Sequence, residues 1–400
     1  MLLNRLLSAA VVVGATSGCS SQIAGPNPSV PVASSALLSS EMRPAKKGPA
    51  FATLFGFDGS DGGGSVASMI DVGGTLYGTT ADGGSGNGTV FSITPSGAEK
   101  VVYSFAGGTD AATPAGNLVY YKGALYGTSE FGGANADGTV FTVSLGGSEH
   151  VIYSFAGGSD GALPTAGLVA DGGALYGTTL EGGPNFEGTV FKVTPAGAES
   201  VIHGFGLTGD GAYPAANLIL AGGTMYGTTY RGGTSGEGSV FSIVPAGTEA
   251  VVYSFAAGTD AANPQSPLVY YKGELYGTTF NGGTNGLGAV FKVSPAGKES
   301  VLHSFGGTGD GVNPYAGLTE FKGKLYGVTG FGGTASCGSF QCGTLFGLTL
   351  SGSEVYTNSF TGGSDGYFPE GGLTVLGKAL YGTTSRGGPG GGGTVFSLTP

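Results

Sequence analysis

The chain has 400 residues, 85 of them glycine and 19 proline, with 15 Lys and Arg against 26 Asp and Glu for a net charge of −11. An acidic surface with so few cations excludes recognition of nucleic acid or anionic lipid headgroups through charge, since both need a basic patch. The hydrophobic share is 40%, enough to fill a packed core without relying on a disulfide scaffold.

The first element is an export signal over residues 1–18. Arg5 is followed by the apolar run Leu6–Val13, which falls short of the ~20 residues needed to span a bilayer. The run closes on Ala15-Thr16-Ser17-Gly18-Cys19, small residues before a cysteine. That order resembles a bacterial lipobox, with Thr16 where an aliphatic residue is usual. It implies a lipid on Cys19, which then becomes the mature N-terminus; the alternative is an ordinary signal peptide cut nearby. The expected localisation is an exported, membrane-anchored lipoprotein, and Ser20 points to the outer membrane if the host has two. Residues 19–50 are rich in Ser, Pro and Ala without periodicity and read as a disordered tether spanning about 30 Å.

From Phe51 to Pro400 the chain repeats. Leu-Tyr-Gly (Met-Tyr-Gly once) recurs at Tyr77, Tyr126, Tyr176, Tyr226, Tyr276, Tyr326 and Tyr381. After each tyrosine come a Thr-rich pair, a Gly-Gly doublet and a strand of Gly-Thr-Val-Phe type, then a Pro-x-Gly-x-Glu turn and a Val-x-Tyr-Ser-Phe-like strand. The strand phenylalanines, such as Phe191 and Phe205, are always 14 residues apart. That constancy fits a β-hairpin, whose register leaves no room for insertions. The stretch after the doublet does vary, gaining 5 residues in the unit of Tyr326, and reads as an exposed loop.

Each unit thus supplies about four short strands separated by Gly-rich turns, and a four-stranded unit of this length is the signature of a propeller blade. The expectation is an all-β fold, a seven-bladed β-propeller over residues 51–400. Gly393–Pro400 is the first half of a hairpin and Phe51–Phe57 the second half. Their pairing would close the ring and remove an exposed sheet edge. An open β-solenoid is the alternative.

The whole pattern, Leu-Tyr-Gly-Thr-Thr, Gly-Gly, Gly-Thr-Val-Phe, Pro-x-Gly-x-Glu, Tyr-Ser-Phe, resembles the GloVer (Gloeo/Verruco) tandem-repeat family. The resemblance covers residues 51–400. It implies an extracytoplasmic repeat protein whose members differ in their anchor, the lipobox serving here where others carry a C-terminal sorting signal. It carries no assigned activity and no catalytic residues. A weaker likeness to kelch blades lacks their tryptophan.

Candidate chemistry is sparse. Cys337 and Cys342 lie in the one insertion, and an exported protein permits a disulfide between them. Each unit has one aspartate before Gly or Ala in a turn: Asp61, Asp110, Asp160, Asp210, Asp260, Asp310 and Asp365. A ring of carboxylates can take Ca²⁺, but isolated aspartates lack the clustered ligands it needs, and Asp in such turns caps its own backbone. The turn reading is preferred, with no metal or other cofactor expected. Glu99, Glu149, Glu199, Glu249, Glu299 and Glu354 are assigned to the hairpin turns. His150, His203 and His303 fall at or near the Tyr-Ser-Phe strand, the last two in place of its tyrosine, and read as tolerated rather than catalytic positions. No Ser-His-Asp order, His-Glu-x-x-His or phosphate loop is present.

A binding site must break the repeat. The residues that do so around the Gly-Gly doublet are Glu130, Phe131, Glu181, Arg231, Phe280, Phe331 and Arg386. The expected function is a monomeric surface binding or scaffold module, with a glycan or protein as ligand. The alternative is a propeller enzyme, a lyase or hydrolase of polysaccharide, with catalytic groups in the central channel.

Overall fold

The computed structural model describes residues 49–400. The export signal, Cys19 and most of the 19–50 tether lie outside the described residues.

Residues 70–104 form blade 1, an antiparallel sheet of Ile70–Val72, Thr75–Thr80, Thr89–Ile93 and Glu99–Ser104 in chain order. Blades 2 to 6 repeat that order from Val119, Val169, Ile219, Val269 and Thr319. Blade 7 takes Thr374–Leu376, Ala379–Thr384 and Thr394–Thr399 from one end of the chain and Ala50–Gly56 from the other. The register runs from Ala50↔Thr399 to Gly56↔Thr394. The seven three-residue strands touch one another from blade 1 to blade 7 and back to blade 1. They therefore line the axis of a closed seven-bladed ring, and the fourth strand of each blade lies outermost.

The core is built between blades. Phe205, just past the outer strand of blade 3, is fully buried and meets Phe241 of blade 4 edge to face at 5.0 Å. The same pair recurs at every interface, from Phe105–Phe141 at 4.9 Å to Phe360–Phe396 at 5.2 Å, and Phe57–Phe91 at 5.1 Å joins blade 7 to blade 1. Around each pair sit the aliphatic residues of both blades. At the blade 3–4 interface these are Val190, Leu218, Met225 and Ile243. Burying one such phenylalanine contributes about 1.5–3 kcal/mol, which accounts for strands that are apolar on both faces.

The glycine of Leu-Tyr-Gly is required by this packing. Gly177 stands opposite Phe191 on the next strand of its own blade. A Cβ there would lie 2.6 Å from the tip of the Phe191 ring. The threonines that follow have a different task. The Thr179 hydroxyl is buried 2.8 Å from that of Thr189 and donates to the Glu181 carbonyl at 3.0 Å, so the strand end leaves no orphaned polar group. In blade 6 the insertion forms a small hairpin, Ser336–Cys337 with Phe340–Gln341, closed by a Cys337–Cys342 disulfide.

Candidate functional site

Two regions of the ring carry side chains that packing does not explain. The first is a belt at the outer edge. The outer hairpin of each of blades 1 to 5 has a β-bulge, as between Val190 and Phe191. A bulge re-aims the side chains beyond it. The Tyr103 hydroxyl donates to Asp110 Oδ2 at 3.0 Å, and the Ala106 and Ala111 amides donate to the same carboxylate at 2.7 Å each. Asp160 and Asp260 are held by Tyr153 and Tyr253 in the same way. At two interfaces a histidine replaces the tyrosine: His203 Nε2 lies 3.2 Å from Asp210, and His303 Nε2 lies 3.1 Å from Asp310.

All seven aspartates accept a hydrogen bond from a backbone amide of their own loop. Asp61 and Asp365 also cap their own loops, accepting from Asp58 and Thr361. Five of the glutamates do more than shape the hairpin. Glu99, Glu149, Glu199, Glu249 and Glu299 each begin the outer strand of a blade and set the carboxyl beside the aspartate of the preceding interface, while Glu354 is exposed. Burial, reinforced by the facing aspartate charge, pushes Glu99, Glu149, Glu199, Glu249 and Glu299 up to about 7. One oxygen of each, Oε1, is buried with no hydrogen-bond partner. Two carboxyls in such a setting disfavour double ionisation, which favours the protonated form of the glutamate. Neighbouring repeats build these pairs together, and that adjacency of Glu to the previous Asp is invisible without the blade order.

The second region is the rim formed by the loops that enter each blade. Thr113, Leu163, Tyr213, Asn263, Asn313 and Phe368 occupy equivalent positions there, all with φ between 52° and 57°. This left-handed conformation is costly for Leu, Tyr and Phe, by about 1–2 kcal/mol. It is held by a hydrogen bond from the residue that follows the Thr-rich pair, as from Glu130 N to Thr113 O at 3.0 Å and from Ser385 N to Phe368 O at 2.9 Å.

The break-the-repeat residues are gathered on this rim in two groups. In blades 5 to 7, Phe280 packs on Tyr315 at 4.9 Å, Tyr315 on Phe331 at 6.3 Å, Phe331 on Phe368 at 4.9 Å, and Phe368 on Tyr367 at 5.0 Å. Phe340, on the disulfide-closed hairpin, adds its ring 5.5 Å from Phe331 and is 51% exposed. The exposed Arg386 and half-buried Glu370 border this arc; burial pushes the Glu370 and Tyr315 groups up, and the Glu370 charge bears on Tyr315. In blades 2 to 4, Glu181 sits near both Glu130 and Tyr213, and the exposed Arg231 lies over the Tyr230 ring at 5.6 Å. Phe131 pairs with Ala112 and joins neither group.

Tyr315, Glu370, Phe368 and Phe340 were not singled out by the sequence. The signal was there: Tyr315 and Glu370 follow the loop proline where other units have Ala115, Thr165, Ala215 and Gln265. Among the described residues, the axial strands bring no acid–base pair together in the central channel. The middle residues of the axial strands are Asp71, Tyr120, Ala170, Leu220, Tyr270, Glu320 and Val375, a mixture without a charged cluster. Two shallow depressions lie elsewhere, at Tyr103–Asp110–Glu149 and beside the disulfide.

Among solved structures, the chain is similar to a puromycin-hydrolysing peptidase of Mycobacterium tuberculosis, with 11% identity, a TM-score of 0.50, and coverage of 86% of this chain and 54% of that one. It is similar also to a gluconolactonase of Xanthomonas campestris, with 13% identity, a TM-score of 0.45, and coverage of 88% and 89%. The β-propeller domain of the Trilobed protease of Pyrococcus furiosus matches at 8% identity and a TM-score of 0.46, over 84% and 95%. At such identities the likeness speaks of the fold alone. The chain spans about half the length of the puromycin-hydrolysing peptidase. No curated protein matches the sequence. The Gloeobacter/Verrucomicrobia repeat model matches residues 42–185 and 158–341, which together take in most of the chain, and the protein belongs to that repeat family.

Proposed function

We propose that the protein is a non-enzymatic binding module displayed outside the cytoplasm, tethered through a lipid on Cys19, and that the aromatic arc of blades 5 to 7 is its contact surface. The observation that carries this reading is the arc itself. Six contiguous rings, one of them half exposed, border a carboxyl and a guanidinium on a rim shaped by strained backbone. Aromatic residues with one apolar face and nearby polar groups dominate recognition surfaces. The ligand class that fits is a glycan, whose C–H faces stack on rings while its hydroxyls accept hydrogen bonds from Arg386 and donate to Glu370. Nothing in the channel supports the polysaccharide-cleaving alternative.

The test is a thermal-shift and equilibrium-binding series on the full chain with oligosaccharides and peptidoglycan fragments. A ligand at 100 times its Kd stabilises the native state by about 2.7 kcal/mol. A shift with one sugar class that disappears in Phe340→Ala and Phe331→Ala supports the reading. Binding that ignores both substitutions, or a flat response to every saccharide, overturns it. The anchor is tested separately: labelled palmitate is incorporated by the parent chain and lost in Cys19→Ala.

A further inference from the structure

One interface of the outer belt differs from all the others. At the blade 3–4 boundary His203 Nε2, a carboxylate oxygen of Asp210 and one of Glu249 all lie within 4.8 Å of one another. The imidazole and the aspartate are 3.2 Å apart, with side chains 17% and 7% exposed, so the group is sheltered yet open to an ion from solvent. The Gly211 amide donates to Asp210 Oδ1 at 2.7 Å, which leaves Oδ2 turned to the histidine. The ring of His203 is fixed edge-on against Phe205 at 4.7 Å. Glu249 Oε1 is buried with no hydrogen-bond partner.

We propose that His203, Asp210 and Glu249 bind one divalent transition ion, with zinc the best fit, bridging blades 3 and 4 and keeping a fourth coordination position for water or ligand. Zinc takes imidazole nitrogen and carboxylate oxygen at about 2.0–2.2 Å in a tetrahedral arrangement, which sets its donor atoms about 3.3–3.5 Å apart. The His203–Asp210 separation already meets that spacing, and the Glu249 carboxylate needs to close by about 1.5 Å at most. The cation supplies the positive charge that two adjacent carboxylates lack, and it gives the orphaned Glu249 oxygen a partner.

The repeat provides its own controls. At the interfaces of Asp110, Asp160 and Asp260 the histidine position holds a tyrosine whose hydroxyl donates to the aspartate. A phenol that keeps its proton is no zinc ligand. At the blade 5–6 boundary the histidine is present, His303 with Asp310, but the third donor is missing. There the equivalent glutamate, Glu354, is exposed and bonded to the Thr357 hydroxyl. Only the blade 3–4 boundary combines all three donors among the described residues.

The experiment is equilibrium dialysis of the chelator-stripped full chain against Zn²⁺, with metal counted by mass spectrometry and Co²⁺ used as a visible-absorption reporter of a four-coordinate site. The parent binds one ion per chain. His203→Tyr, which installs the arrangement of the neighbouring blades and so preserves folding, and Glu249→Gln each weaken binding by more than about tenfold. His303→Tyr leaves it unchanged. No bound ion in the parent, or one that survives either His203→Tyr or Glu249→Gln, overturns the proposal.

Discussion

Between blades the same contact is made seven times, whereas at one position on the rim no two blades present the same side chain. The phenylalanine pairs stand 4.9–5.2 Å apart at every interface. The first residue past the Thr-rich strand is Ala81, Glu130, Leu180, Tyr230, Phe280, Gly330 and Ser385 in turn. Both positions belong to the same repeat and have copied together. The difference shows where physical constraint ends. A ring wedged over a glycine admits no substitute, while a side chain turned out of the rim is free to differ and so to recognise something.

The sharpest way to break this contrast is to cut the interior. Phe191→Ala removes a fully buried ring that packs on both Gly177 and Phe155. It is expected to destabilise the fold by about 3–5 kcal/mol in chemical denaturation. Removing the disulfide tests an intermediate case, because Cys337 and Cys342 belong to the rim while Cys342 is buried in the blade 6–7 core. Cys337→Ser with Cys342→Ser is expected to cost about 2 kcal/mol or less for so short a loop, with a larger loss of ligand binding through Phe340.

The outer belt gives a smaller effect with a defined sign. Five glutamates have their carboxyls raised to about 7 from 4.5 in the folded chain. The native state therefore holds more protons than the unfolded state between those values, and stability falls as pH rises through that window. The melting temperature should be higher at pH 5 than at pH 8. Glu149→Gln should raise stability at pH 8 and flatten the profile, by less than about 1 kcal/mol because the group is half exposed. A melting temperature that rises with pH across this range would contradict the carboxyl pairing. The least effect on stability is expected at the rim, where Phe340→Ala should stay within about 0.5 kcal/mol of the parent.

The architecture could be read from the chain because it is periodic. Seven Leu-Tyr-Gly markers, a fixed Phe-to-Phe step and a hairpin split between the two ends dictate seven sheets and a closed ring, and Ala50–Gly56 pairs with Thr394–Thr399 as that split requires. The disulfide was legible for the same reason, as two cysteines in the one place where the period fails. What escaped was anything formed across an interface. Phe191 and Phe205 look like partners in sequence, but Phe205 packs on Phe241 of the next blade. Glu249 looks like a hairpin residue, but its carboxyl meets Asp210, 39 positions earlier. His203 reads in sequence as a replaced tyrosine, and only the fold shows that the replacement sets an imidazole nitrogen 3.2 Å from Asp210 and close to Glu249. Periodicity fixes each unit and is silent on what one unit does to its neighbour.

The pairing of Ala50–Gly56 with Thr394–Thr399 also imposes a schedule. Along the chain the outer strand of blade 7 comes before every other blade, and the strand it completes comes after them all. Until the two meet, the six other blades can form and stack, but the circle stays open, with Phe51 and Phe55 unpaired at a free edge. The slowest and most aggregation-prone moment of this protein's life should therefore be the latch, and substitutions at Phe51 should lower the yield of folded chain more than they lower its stability once closed.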